Sequence, residues 1–96
     1  MSMGLMHFSK VLLKVFYFFI FFKKIKQTSD PFANLQSIDL SFNELTKISP
    51  SLTKYPNIRS LYLHGNSIEN FNEVKKLKSM ANLRRLTLHG NPLGMF

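Results

Sequence analysis

The 96-residue chain reads as an α/β solenoid, a stack of short parallel strands joined by helical or irregular returns. Three observations predict this. One apolar spacing is written three times, each copy holds an Asn at the same slot, and the copies start 23 and then 25 residues apart. Periods in this range are the mark of repeat architectures, in which each unit buries its apolar face only against its neighbours.

The first copy is Leu35-x-x-Ile38-x-Leu40-x-x-Asn43-x-Leu45-x-x-Ile48. The second is Ile58-x-x-Leu61-x-Leu63-x-x-Asn66-x-Ile68-x-x-Phe71, and the third is Leu83-x-x-Leu86-x-Leu88-x-x-Asn91-x-Leu93-x-x-Phe96. All fifteen scaffold positions are apolar, in a chain that is 45% apolar. Chance would fill about seven of them.

Each part of the copy has a physical reading. The stretch around Ile38 and Leu40 alternates apolar and polar residues, as a short strand does. Its equivalents stack, so Ile38, Leu61 and Leu86 share one core, together with Leu40, Leu63 and Leu88. Leu52 to Pro56 and Val74 to Met80 carry the chain back to the next strand. Leu52, Tyr55, Val74, Leu77 and Met80 are expected to close the core on that side. The spacing predicts a helical or 3₁₀ turn over 74–80, with Lys75, Lys76 and Lys78 outward.

The Asn slot has a separate cause. Beyond the strand the chain turns sharply inside the solenoid, where backbone groups are buried without ladder partners. An Asn side chain supplies two donors and an acceptor from within. Asn43, Asn66 and Asn91 are therefore expected to form a ladder.

The outward strand positions fall into columns. These are Ser37, Ser60 and Arg85; then Asp39, Tyr62 and Thr87; then Ser41, His64 and His89. The expected partner-contacting residues are Asp39, Tyr62, His64, Arg85, Thr87 and His89, because Tyr and Arg dominate interface energetics and these columns line the concave face. The alternative for each is plain solvated strand surface. His64 and His89 lack a third ligand, so no metal is expected. No residue is marked out as a nucleophile, and no Gly-rich phosphate loop is present. The chain is expected to be no enzyme, to need no cofactor and to take no small-molecule substrate.

Composition narrows the class further. There is no Cys, so disulfide and thiolate chemistry are excluded. Asn66-Ser67-Ile68 misses the glycosylation acceptor pattern. Both lean towards the cytoplasm. The net charge of +8 divides evenly, with +4 in residues 1–34 and +4 in residues 35–96. The basic residues form no single stripe, which argues against nucleic acid and for solvated lysines.

Residues 1–27 differ in kind from the rest. Val15 to Phe22 is an uninterrupted apolar run, followed by Lys23, Lys24 and Lys26. Gln27 to Pro31 then reads as a boundary. The domain plan is a hydrophobic and basic segment over 1–27, a linker over 28–34 and three repeats over 35–96. The first segment is expected to be an apolar helical extension. It has three readings. As a membrane anchor through residues 11–22, it is short of the roughly 20 apolar residues a spanning helix needs and carries Lys14. As a cleaved signal, it lacks small residues at a cleavage site. As a segment without evolved function, it matches what an alternative start or translated non-coding sequence would encode.

The strings IDLSFNELTKI, LYLHGNSIENF and LRRLTLHGNPL resemble the leucine-rich repeat superfamily, over Leu35 to Phe96. The resemblance implies a leucine-rich-repeat solenoid with parallel strands on its concave face, acting in protein–protein interaction or as a scaffold, and carries no catalytic residue. Repeats of this kind are normally capped, and only three residues follow Leu93. The expectation is a truncated isoform whose core is open at its last repeat.

Overall fold

The structure, a computed structural model, describes residues 3–7, 9 and 33–94. Four parallel strands lie in chain order: β1 (Met3–His7), β2 (Leu35–Asp39), β3 (Ser60–Tyr62) and β4 (Arg85–Thr87). A 3₁₀ turn (Pro50–Lys54) returns the chain from β2 to β3. A short helix α1 (Phe71–Lys75) and a second 3₁₀ turn (Lys76–Ser79) return it from β3 to β4.

Equal slots pair. Ile38 stands opposite Leu61, and Leu61 opposite Leu86. The ladder runs on past the strands, where Leu40 N–H donates to Tyr62 C=O at 2.8 Å and Leu63 N–H to Thr87 C=O at 3.0 Å.

The core is most of the predicted apolar set; Val74, expected in it, is only half-buried and lies outside the cluster. Leu35, Ile38, Leu40, Ile48, Ile58, Leu61, Leu63 and Ile68 are fully buried. Leu52, Tyr55, Leu77 and Met80 close it on the return side. Two scaffold residues depart. Phe71, the equivalent of Ile48, opens α1 and is 56% exposed. Leu86 is 37% exposed, on the strand at the edge of the described sheet.

Residues 3–7 correct the expectation of a helical extension. They form a strand, with Met3 opposite Leu35, Met6 opposite Ile38 and His7 opposite Asp39. The physical reason is the unpaired edge that β2 would otherwise present, which a short extended segment satisfies through main-chain hydrogen bonds. Met3-x-x-Met6-x-Phe8 even repeats the scaffold spacing, although Val11 stands at the Asn slot. The apolar run over residues 11–22 and the boundary over 27–31 lie outside the described residues. Among the described residues no helix is long and apolar enough to cross a membrane.

Lys76 also departs from its expected outward position. Its ammonium donates to Ile48 C=O at 3.2 Å and to the Glu73 carboxylate at 2.6 Å. The same carboxylate accepts from Ile48 N–H at 2.8 Å. One Glu–Lys pair of the second repeat thus holds both backbone groups of a residue in the first. The ammonium and the Ile48 amide keep the Glu73 carboxyl below its usual 4.5.

Candidate functional site

Three asparagines fasten the turns beyond the strands. Asn66 accepts from the backbone of Asn43 and of Leu45, both at 3.0 Å. Its amide donates to Leu40 C=O at 3.0 Å and to Leu63 C=O at 2.8 Å. Asn91 repeats the device one unit on, accepting from Ile68 N–H and donating to Leu63 and Leu88 C=O. Asn43 donates to Leu40 and Ser41 C=O. Each bond closes a buried group that the turn withdraws from the ladder. No buried side-chain polar atom among the described residues lacks a partner.

A second asparagine column stands where the chain enters the strands, and sequence reasoning missed it. Asn57 donates to Ala33 C=O at 3.5 Å, and Asn82 to Pro56 C=O at 2.7 Å. The signal was available: Asn34, Asn57 and Asn82 each directly precede the first apolar residue of a copy.

These two ladders hold the outward strand face between them. The register places Ser37, Ser60 and Arg85 in one row and Asp39, Tyr62 and Thr87 in the next. β1 adds His7 to the second row. Not all of these side chains are open to a partner. Asp39 accepts from the Ser41 amide at 2.9 Å and the Ser41 hydroxyl at 2.5 Å, and its other oxygen lies 3.3 Å from His7 Nδ1. Burial works to raise the Asp39 carboxyl; the Ser41 bonds and the His7 ring outweigh it, so it titrates below 3.8. Thr87 is also engaged, its hydroxyl accepting from Leu63 N–H at 3.2 Å and meeting His64 Nδ1 at 2.8 Å.

His64 and His89 lie face to face, ring centroids 4.6 Å apart and planes 8° from parallel. Their in-plane lone pairs run in parallel sheets and do not converge on a shared point. Tyr62 and Phe42 meet His64 edge-on at 6.4 and 5.2 Å. The four rings form a continuous aromatic patch across three repeats.

Phe42 belongs to this patch and was absent from the sequence expectation. It is 75% exposed and its backbone has φ +58°. That left-handed conformation is rare for an aromatic residue. In the next copy the same slot is Gly65, at φ +72°, and a Cβ there would stand 2.5 Å from the Phe42 ring. The Phe42 ring therefore lies over a glycine that makes room for it. The signal in the sequence is the contrast of Ser41-Phe42-Asn43 with His64-Gly65-Asn66 and His89-Gly90-Asn91.

The leucine rich repeat family model matches residues 33–93. Leucine-rich repeat-containing protein 51 of Homo sapiens is 60% identical over 60 residues, which are 62% of this chain and 31% of that protein. The protein of the same name from Mus musculus is 58% identical over the same shares, and that from Bos taurus 52%. The chain thus spans about a third of the length of the curated relatives it matches.

Proposed function

This chain belongs to the leucine-rich repeat family, and from that premise we propose a non-catalytic protein-binding module whose contact surface is the outward strand face. The observation that carries the reading is Phe42. A large apolar ring is held in a strained backbone conformation and presented to solvent beside Tyr62, His64 and His89. The turn imposes the left-handed conformation at this slot, as Gly65 and Gly90 show in the next two copies, so an aromatic ring here costs on the order of 1–3 kcal/mol where a glycine would be at ease. Aromatic residues in a patch with a polar surround are also the usual anchors of protein interfaces. In this reading Phe42, Tyr62, His64, His89 and Arg85 contact the partner, while Asp39 and Thr87 hold the surface in shape.

The reading places the module in the cytoplasm, as the lack of Cys and of a glycosylation acceptor suggests. A photo-crosslinking amino acid at position 62 tests it in cells. Adducts at position 62 and none at Lys54, on the return side, are the expected result. Equal adducts at both positions would remove the strand face from consideration.

A further inference from the structure

A cleft of about 330 Å³ opens where the chain enters the strands, lined by Gln36, Asn57, Arg59, Asn82 and Arg84. We propose that this cleft receives carboxylate side chains of an acidic protein segment, through the paired guanidinium groups of Arg59 and Arg84. The proposal rests on the reading of the module as a protein binder and names the chemistry of its partner.

Arg59 and Arg84 fill the same slot in consecutive repeats, each one residue before the paired positions Ser60 and Arg85. Arg84 N–H donates to Arg59 C=O at 2.7 Å, so the two side chains leave adjacent backbone positions and line one cleft, where like charges are unfavourable without a counter-charge. Arg85 adds a third charge in the adjoining row. All three side chains are exposed.

Nothing described in the chain supplies that counter-charge. Asp39 is paired with His7 and Glu73 with Lys76. Glu44 and Glu69 follow the Asn turns at the far end of the strands. Arg84 donates from one nitrogen to Ala81 C=O at 3.0 Å and Leu83 C=O at 3.4 Å, which anchors the guanidinium. Its other N–H groups meet no acceptor among the described residues. The cleft walls are fixed too, since the Asn57 and Asn82 amides are tied to the preceding repeat. A polar, cationic cleft with anchored Asn walls and an anchored Arg84 is partly preorganised for an anion.

Carboxylate fits better than a nucleic-acid backbone. Guanidinium presents a planar fork that matches the two oxygens of a carboxylate. A nucleic acid calls for cations spaced along its phosphates. Here three arginines sit at the entry end of the face, two rows of which hold Ser37, Ser60 and Arg85, then Asp39, Tyr62 and Thr87, with Asp39 already engaged by Ser41 and His7.

The test is fluorescence anisotropy of a labelled octaglutamate peptide with the full chain, at low and physiological salt. Arg59→Gln with Arg84→Gln should weaken binding about tenfold or more, since two charge-assisted contacts are lost. Lys54→Gln with Lys78→Gln makes the same change in net charge on the return side and should leave binding within about twofold. Arg59→Lys with Arg84→Lys keeps the charge without the fork, and should give an intermediate loss even if the Gln pair unfolds the chain.

Three outcomes would overturn the proposal: no binding of octaglutamate, an equal loss in the lysine control, or tighter binding of oligothymidylate or phosphatidylserine vesicles than of the peptide. Failure here with position-62 adducts intact removes the acidic partner and leaves the strand-face reading. Binding here without those adducts does the reverse.

Discussion

Ile38, Leu61 and Leu86 occupy one slot in three consecutive repeats, yet the first two are fully buried and the third is 37% exposed. The side chains are nearly equivalent and the backbone register is the same. What differs is the neighbourhood. β2 lies between β1 and β3, and β3 between β2 and β4, whereas β4 is the edge strand of the described sheet. Burial in a solenoid is conferred by adjacent repeats, and the same motif is worth different amounts at different places in the stack. The asparagines show the same gradient: Asn43 and Asn66 are buried, and Asn91 is half-buried.

Truncation of equivalent leucines, followed by urea unfolding of the full chain, tests this gradient. Leu61→Ala should cost about 3–4 kcal/mol, because it opens a cavity in the centre of the core. Leu86→Ala should cost about 1 kcal/mol or less, since part of that side chain is already in water. Equal losses would mean that the two ends of the sheet are packed alike.

Next in size is the asparagine ladder. Asn66→Ala removes bonds to both its own and the preceding repeat and should cost about 2–3 kcal/mol, each orphaned buried group carrying a penalty. Asn91→Ala should cost about half as much, its surroundings being wetter. A larger loss at Asn91 would reverse the gradient.

A smaller effect comes from pH. The Glu73 carboxyl is depressed below 4.5 by Lys76 and the Ile48 amide, and Asp39 below 3.8. A depressed carboxyl contributes stability that is complete above its unfolded value and is lost as pH falls through the folded one. The melting temperature should therefore hold steady down to about pH 4.5 and fall below it. Glu73→Gln should flatten part of that decline, and an unchanged acid profile would separate the Glu73–Lys76 clip from stability.

The smallest effect is the most informative about function. Phe42→Asn places a residue that tolerates the left-handed region where a strained ring now stands. It should raise stability by about 0.5–1 kcal/mol while weakening position-62 crosslinking. A loss of stability would show that the ring supports the fold instead of serving a partner.

Much of the fold was legible because a parallel stack in register maps equal slots onto neighbours. Spacing alone placed Ile38 beside Leu61 and Tyr62 beside Thr87. The first strand was not legible: Met3 precedes Leu35 by 32 residues, longer than the period, and its row lacks the Asn. Nor was the partition of the strand face, since whether Asp39 is spent on Ser41 and His7, or Thr87 on His64, depends on side-chain partners in other repeats. The entry-side column of Asn57 and Asn82 was visible but unexplained until its carbonyl partners were known.

The repeat, its register and the identity of most core residues follow from the sequence's periodicity and from the need of apolar side chains to leave water. Three-dimensional packing sets which copies of the motif are fully buried, that Met3–His7 joins the sheet as a strand, and that Phe42 stands exposed over Gly65. Those outcomes depend on contacts between residues far apart in the chain, which the local patterns mark at most faintly.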